Sequence, residues 1–349
     1  MPLILLFFSK ALLSMKTEIM YSNVFRKHDT ISHPENAERT LVMMDALKQA
    51  SFHDDLTFIE PPLLPEEMLY HIHNQRMIFD IKQISETKTT WLDLDTYVCK
   101  DDFDTARRAA GGTLALAKRV LDEKADNGFA LVRPPGHHAT PTTSMGFCLF
   151  NNAAITAYEL AKFGHKILIF DPDVHHGNGT QEIFYQRNDV LYQSFHVSPH
   201  FPGTGKVEEI GKGKGKGFNM NAPLAHGNGE QAVQRIIDDI FIPIAEQFDP
   251  DLILVSSGFD SHHKDRLGGL RLTVDFFGKL IKEYQSIQPK IVCTLEGGYN
   301  LEWIGKCLVS QVGQLAGFPQ HFHDVADEKD TSKKVYEKLR NNLQPFWKL

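Results

Sequence analysis

Residues 167–179 constrain the fold more than any other stretch. Ile167-Leu168-Ile169-Phe170 is a short run of bulky apolar residues bounded by polar ones, the pattern of a strand buried on both faces. The loop after it reads Asp171-Pro172-Asp173-Val174-His175-His176-Gly177-Asn178-Gly179. In extended chain Asp171, Asp173 and His175 alternate and so point the same way. Two carboxylates and an imidazole at the C-terminal end of a buried strand stand where open α/β sheets place their ligands, and a divalent metal is the natural occupant. The competing reading is a loop in which Asp and Gly only turn the chain and the histidines are incidental surface residues.

Three further apolar runs end in similar loops. Residues 129–133 lead into Pro134-Pro135-Gly136-His137-His138, residues 252–256 into Gly258-Phe259-Asp260, and residues 291–295 into Glu296-Gly297-Gly298-Tyr299. Other strands are expected at 18–21, 56–59 and 190–196, with helices at 37–49, 65–84, 101–123, 151–163, 230–247 and 273–284. Strands alternating with helices at this spacing predict a mainly parallel sheet covered on both faces. No Pro/Ser-rich linker divides the chain. One domain is therefore expected over 16–319, followed by a polar tail, 320–349, with a helix at 335–343 that docks back. In residues 211–217 glycine alternates with lysine, but the strand and helix that flank a phosphate loop are missing, so a solvated, flexible turn is expected. Residues 1–15 read as an apolar N-terminal extension, too short to span a membrane.

Composition narrows the function classes. At 349 residues the chain can bury a sizeable core. Its net charge of -7 gives no general drive toward nucleic acid or an anionic membrane and suits a cationic substrate better. Cys99, Cys148, Cys293 and Cys307 form no close pair, which argues against a zinc ribbon or a disulfide framework. A reducing compartment, the cytoplasm, is the expected location.

In a parallel sheet the C-terminal strand ends share one edge, so the loops carrying His137-His138, Asp171/Asp173/His175, Asp260 and Tyr299 can meet in one crevice. Asp173, His175 and Asp260 are three candidate ligands that leave a coordination position open, as catalytic zinc sites do. Iron fits the same ligands. Such a metal activates a water and polarises an amide carbonyl. A neutral imidazole suits the general base near pH 7, and His138 is the candidate. Asp171 is placed to orient His137, and Asn178 to hydrogen-bond His138. Tyr299 can donate its phenol to a developing oxyanion, with simple packing over the crevice as the alternative. His262-His263 lie among Lys264, Asp265 and Arg266 and read as a solvated loop, while His196 and His200 read as shaping the rim.

At this point the segments resemble a known family. Arg133-Pro134-Pro135-Gly136-His137-His138, Gly146-Phe147-Cys148, residues 171–181, Phe201-Pro202-Gly203-Thr204-Gly205, Gly258-Phe259-Asp260 and Glu296-Gly297-Gly298-Tyr299 are similar, in order, to motifs of the zinc-dependent histone deacetylase and acetylpolyamine amidohydrolase superfamily. His33-Pro34-Glu35 with Arg39 matches its upstream signature. The resemblance implies the three-layer α/β/α arginase/deacetylase-like fold with a mainly parallel eight-stranded sheet, and hydrolysis of an N-acetyl amide to acetate and amine. It implies Zn2+ on Asp173, His175 and Asp260, His137 and His138 as the catalytic pair, and Tyr299 as the transition-state tyrosine. It also implies K+ near Asp171, Asp173, His175, Ser194 and Phe195. Phe147 and Phe201 match the aromatic walls of the acyl-lysine tunnel, along which Gly146, Leu267 and Gly298 also fall.

Two departures refine the expectation. Asn178 stands where the nuclear, class I branch has Asp, as in class II and prokaryotic members. Leu267 occupies the position where polyamine-specific relatives carry Glu, which favours acetyl-lysine-like substrates. A zinc-dependent deacetylase is thus the expected function, with an acetylpolyamine or other small-amide hydrolase second and a non-catalytic acyl-lysine reader third. An arginase-like two-metal enzyme would need further Asp and His ligands that these loops do not offer. Neither nucleic acid nor membrane is an expected partner.

Overall fold

The computed structural model describes residues 15–30, 32–87 and 89–349. Apart from Met15, the N-terminal extension lies outside the described residues. The strands are β1 (Thr17–Met20), β2 (Leu56–Ile59), β3 (Thr90–Trp91), β4 (Tyr97–Val98), β5 (Asn127–Ala130), β6 (Ile167–Asp171), β7 (Val190–Val197), β8 (Asn219–Leu224), β9 (Leu252–Ser257) and β10 (Ile291–Leu295). Eight of them form one sheet in the order β2-β1-β5-β10-β9-β6-β7-β8, every neighbour parallel. β3 and β4 pair separately as a small antiparallel hairpin.

The helices are α1 (Glu38–Gln49), α2 (Glu66–Leu69), α3 (Gln75–Ser85), α4 (Asp102–Leu121), α5 (Asn152–Ala161), α6 (Asn178–Phe184), α7 (Glu230–Ile236), α8 (Ile242–Phe248), α9 (Val274–Gln285), α10 (Ile304–Leu315) and α11 (Lys333–Leu343). They divide between the two faces of the sheet because strand residues alternate between two cores. Leu168 and Phe170 of β6 join Leu47, Phe277, Leu308 and Leu339 on one side. Ile167 and Ile169 join Ile78, Leu114, Ile155 and Phe184 on the other. Each such side chain contributes about 1.5–3 kcal/mol when fully buried, so the apolar run at 167–170 ties together all three layers. This is the α/β/α architecture expected from the strand and helix order.

Several elements differ from their sequence expectation, each for a local reason. The helix expected over 65–84 is broken between α2 and α3. Asn74 ends the gap by capping α3, its Oδ1 accepting from Met77 N at 2.8 Å. Beside it, the buried His73 ring bonds Thr140 O and Asn151 N across the structure. The long helix expected over 230–247 widens at Ile237–Phe241 between α7 and α8, just before Pro243, which has no N–H to give to the preceding turn. Strand β8 had no sequence signal because Asn219, Asn221 and Pro223 interrupt its apolar residues. Its two Asn side chains are paid for by Gln181 Oε1, at 2.8 and 2.6 Å, and an edge strand tolerates proline. The 211–217 turn is also less free than expected: Gly215 and Gly217 are buried, the latter at φ +88° against the Phe346 ring, while the three lysines and Gly213 face solvent.

The tail packs back on the domain. α11 lies against β8 with Leu339 and Leu343 fully buried, and Trp347 Nε1 donates to Gly217 O at 2.7 Å. All four cysteines are free and buried. No helix among the described residues is long and apolar enough to cross a membrane.

Candidate active site

The loops after β5, β6, β9 and β10 gather at one edge of the sheet. After β6 the chain is bent by its own carboxylates: Asp171 Oδ1 accepts from Asp173 N at 3.3 Å and Asp173 Oδ1 from His175 N at 2.9 Å. Gly258 and Gly297 let the neighbouring strands close in, since a Cβ at either would strike the Asp173 carboxylate, and at Gly297 that of Asp260 as well. The Asp173, Asp260 and His175 ligand atoms consequently lie within 4.8 Å of one another. His175 Nδ1 is 3.1 Å from Asp173 Oδ1 and 3.2 Å from Asp260 Oδ2.

This donor set fits a divalent cation. Asp173 and Asp260 are fully buried, and Asp260 Oδ2 has no hydrogen-bond partner although its other oxygen accepts from Val174 N. An unsatisfied buried carboxylate oxygen is costly, and a cation is the partner its chemistry suits. Burial works against charge on His175, but the close Asp173 and Asp260 carboxylates prevail and push its pKa up to about 10. The centre is therefore strongly anionic. Of the four clusters of metal-capable side chains among the described residues, this one alone has a member lining the cavity over the site.

His137 and His138 sit beside this centre with opposite electrostatics. Their backbone is fixed by Glu296, whose Oε2 accepts from Gly136 N at 2.7 Å and His137 N at 3.1 Å. His137 Nδ1 faces Asp171 Oδ2 at 3.2 Å. Burial opposes its charge, yet Asp173 and Asp171 outweigh that and push it up to about 10. His138 goes the other way: burial, then the positive neighbours His137 and His175, hold it well below the ordinary histidine value. Its Nδ1 lies 2.8 Å from Asn178 Oδ1. An amide oxygen can only accept, so the proton sits on Nδ1 and Nε2 is left with a free lone pair.

A narrow cavity of about 190 Å³ leads to this floor, lined by Asp95, His138, Gly146, Phe147, His175, His200, Phe201, Leu267 and Tyr299. Its volume falls below the roughly 300–1,000 Å³ of sites that enclose a whole drug-sized ligand, so it suits one extended chain end. Phe201 packs edge-on to His138 at 5.1 Å, and Phe147 edge-on to Tyr299 at 5.7 Å. Phe147 is held at φ +70° with its N–H on Thr96 Oγ1, a strained conformation that aims the ring inward. Gly146 has no room for a side chain, since a Cβ would meet the His138 and Phe201 rings at 2.5 and 2.9 Å. Tyr299 lines the cavity with its ring edge-on to Phe147, and its backbone N donates to Asp265 Oδ2 at 2.6 Å. Gly298 lies behind the wall: its carbonyl accepts from Arg39 Nε at 2.6 Å, and the Arg39 guanidinium lies 4.9 Å from the Tyr299 ring centre. Ser194 pairs with Asp171 across β6 and β7, with Phe195 next along the strand.

Three further residues shape the site. Asp95 reaches the mouth because Asp93 folds the hairpin tip, its Oδ1 accepting from Asp95 N and Thr96 N, while His33 Nε2 donates to Asp95 O. His200 lines the cavity, as a rim residue should, and bonds Leu267 O at 2.9 Å. Arg39 also bonds Glu35 Oε1 and Glu296 O, in a buried network where Glu35 is shared with Arg133. The expectation of a solvated loop at His262-His263 is wrong: both rings are buried against Asp324. A larger cavity, about 610 Å³ and lined by Glu230, Asp275, Lys279, Glu283 and His321 among others, contains none of these converging groups.

Comparison with known proteins agrees with this geometry. Residues 33–315 match the family model described as the histone deacetylase domain. A protein of Archaeoglobus fulgidus named "Probable deacetylase" is 37% identical over 297 residues, covering 82% of each chain. The "Histone deacetylase-like amidohydrolase" of Pseudomonas aeruginosa is 35% identical over 294 residues, covering 82% of this chain and 77% of its own. The crystal structure of the HDA15 HD domain superposes with a TM-score of 0.89 at 31% identity, over 95% of this chain and 97% of that one. With the family model matched over most of the chain and relatives above 30% identical, the chain belongs to the histone deacetylase family, whose relatives include proteins named as deacetylases and amidohydrolases.

Proposed function

We propose that this chain is a metal-dependent deacetylase that hydrolyses an N-acetyl amide at the end of an extended alkyl chain, acetyl-lysine being the leading substrate class. The observation that carries this reading is the single cavity that His138, His175 and Tyr299 line together. Asp173, His175 and Asp260 would hold the cation, zinc or iron, which when bound supplies Lewis-acid activation of water and of the amide carbonyl. His138, its Nδ1–H fixed by Asn178, takes the proton of the attacking water at Nε2 and returns it to the leaving amine. His137, kept charged against Asp171, adds positive potential at the floor. Tyr299 donates to the carbonyl oxygen as negative charge grows there. Phe147 and Phe201 exclude water and pack on the methylenes, between Gly146 and Leu267. Asp171, Asp173, His175, Ser194 and Phe195 would hold a potassium ion that stiffens the ligand loop.

An acetylpolyamine or other small acetylated amine is the second reading, and one observation favours it. Leu267 brings no carboxylate to the mouth, but Asp95 does. The acidic run after Cys99 does not add to it, because Asp101 and Asp104 line a separate groove with Lys82 and Arg107. Acetyl-lysine peptides, longer acyl-lysine peptides, acetylspermidine and acetylputrescine, assayed side by side, separate the two readings. In the same assay Tyr299→Phe should lower kcat by about a hundredfold to a thousandfold with the cation content unchanged. Activity within about twofold of wild type would reassign Tyr299 to packing and reopen the non-catalytic reader.

A further inference from the structure

The segment beyond the family match reaches back to the site through a single carboxylate. Asp324 Oδ2 lies 2.9 Å from His262 Nε2 and 3.1 Å from Val274 N, and Oδ1 lies 2.9 Å from His263 Nε2. The side chains are buried, with 5% of Asp324 and 1% and 3% of the two histidines exposed. His262 Nδ1 accepts from Lys264 N at 3.3 Å, which leaves the proton on Nε2, where it points at Asp324. The cluster is thus a hydrogen-bonded clamp rather than a set of free metal ligands.

From His262 the contacts continue to the tyrosine. The His262 carbonyl accepts from Asp265 N at 2.9 Å. Asp265 Oδ2 in turn accepts from Tyr299 N at 2.6 Å and Asn300 N at 3.0 Å, and its Oδ1 from Leu267 N at 2.9 Å. A second link is the His262 ring, stacked on the Trp303 indole with centroids 5.0 Å apart. Lys264 O accepts from Asn300 Nδ2 at 2.7 Å. Both routes join the loop carrying Asp260, Asp265 and Leu267 to the glycine-rich loop carrying Tyr299. Glycine at 297 and 298 leaves that second loop little stiffness of its own, so its geometry depends on such external bonds.

We propose that Asp324 is a positioning residue for Tyr299: the C-terminal segment, acting through His262 and Asp265, holds the tyrosine loop in the geometry that places the phenol over the floor of the site. This rests on the deacetylase reading for its catalytic consequence but not for its structural one. The test uses the full chain with Asp324→Asn, in which an amide N–H faces one of the imidazole donors. Amide hydrogen exchange of peptides covering 261–272 and 296–303 should quicken by about tenfold or more, as local opening becomes easier. On an acetylated substrate kcat should fall by about 10- to 100-fold, the range for residues that support a site from behind, with KM nearly constant. Asp330→Asn cuts a different tail contact, the ion pair with Arg235, and should leave both peptides as in wild type. If Asp324→Asn does not fold, His262→Gln, which keeps an N–H for the carboxylate but removes the stack on Trp303, should quicken the same peptides. Faster exchange confined to 318–332, or an unchanged 296–303, would overturn the proposal and leave Asp324 as a tail anchor. Absence of activity on every acylated amine would sink the deacetylase reading, while the exchange measurement still decides the positioning.

Discussion

The floor of the cavity and its mouth are built from different materials. At the floor, Asp171, Asp173 and Asp260 are fully buried, lie within a few residues of strand ends, and are tied to backbone N–H groups and to neighbouring side chains. At the mouth, Phe201 is 38% exposed, and Asp95, Phe201 and Leu267 sit on loops outside the sheet, held by contacts such as those of His33 with Asp95 O and His200 with Leu267 O. A floor bonded to the sheet can fix atoms to the tolerance that proton transfer needs. A mouth on loops can vary more freely, so in the proposed reaction the floor would set the chemistry and the mouth the choice of substrate.

The sharpest way to break that division is at the floor. His138→Ala removes the proposed general base and should lower kcat by about 10²–10⁴-fold with cation content unchanged. Metal analysis alongside steady-state kinetics checks this, and a fall of less than about tenfold would move the base elsewhere.

A smaller effect is expected one contact behind His138. In wild type, burial and then the charges of His137 and His175 hold His138 low, and Asn178 offers it only a neutral acceptor. Asn178→Asp should raise that pKa, because a carboxylate favours the imidazolium. The base works when neutral, so the acid limb of the kcat/KM profile should move to higher pH. A limb that stays in place would mean this contact only orients the ring.

The mouth should give the smallest changes. Leu267→Glu adds a carboxylate at the rim and should shift the ratio of kcat/KM for acetylspermidine over an acetyl-lysine peptide upward by about 2- to 10-fold, the scale of one partly solvated polar contact. Asp95→Asn should move the ratio the other way. Changes at the mouth as large as those at the floor would remove the distinction between the two.

Much of the fold was legible because its cause is local. Buried strands at 167–171 and 291–295 announce themselves by short apolar runs, and their helices by period, so the parallel α/β/α architecture follows from spacing and connection rules. The gathering of His137, His138, Asp171, Asp173, His175, Asp260 and Tyr299 follows too, since a parallel sheet brings all its C-terminal ends to one edge. β8 was not legible, because its asparagines look like loop until Gln181 is seen between them. The break before α3 was hidden for a similar reason, with His73 serving Thr140 and Asn151 rather than its own helix.

What the order of residues could not contain is which distant polar groups become partners. His262-His263 look solvated among charged neighbours, and only the return of the tail brings Asp324 onto them. Asp95 is held at the mouth by His33 across a hairpin of two-residue strands, and His200, expected at the rim, is tied there to the carbonyl of Leu267. Apolar periodicity is written into adjacent positions because each strand must bury its own faces. A hydrogen bond between residues sixty positions apart leaves no such periodic trace, since either partner alone could equally well face water.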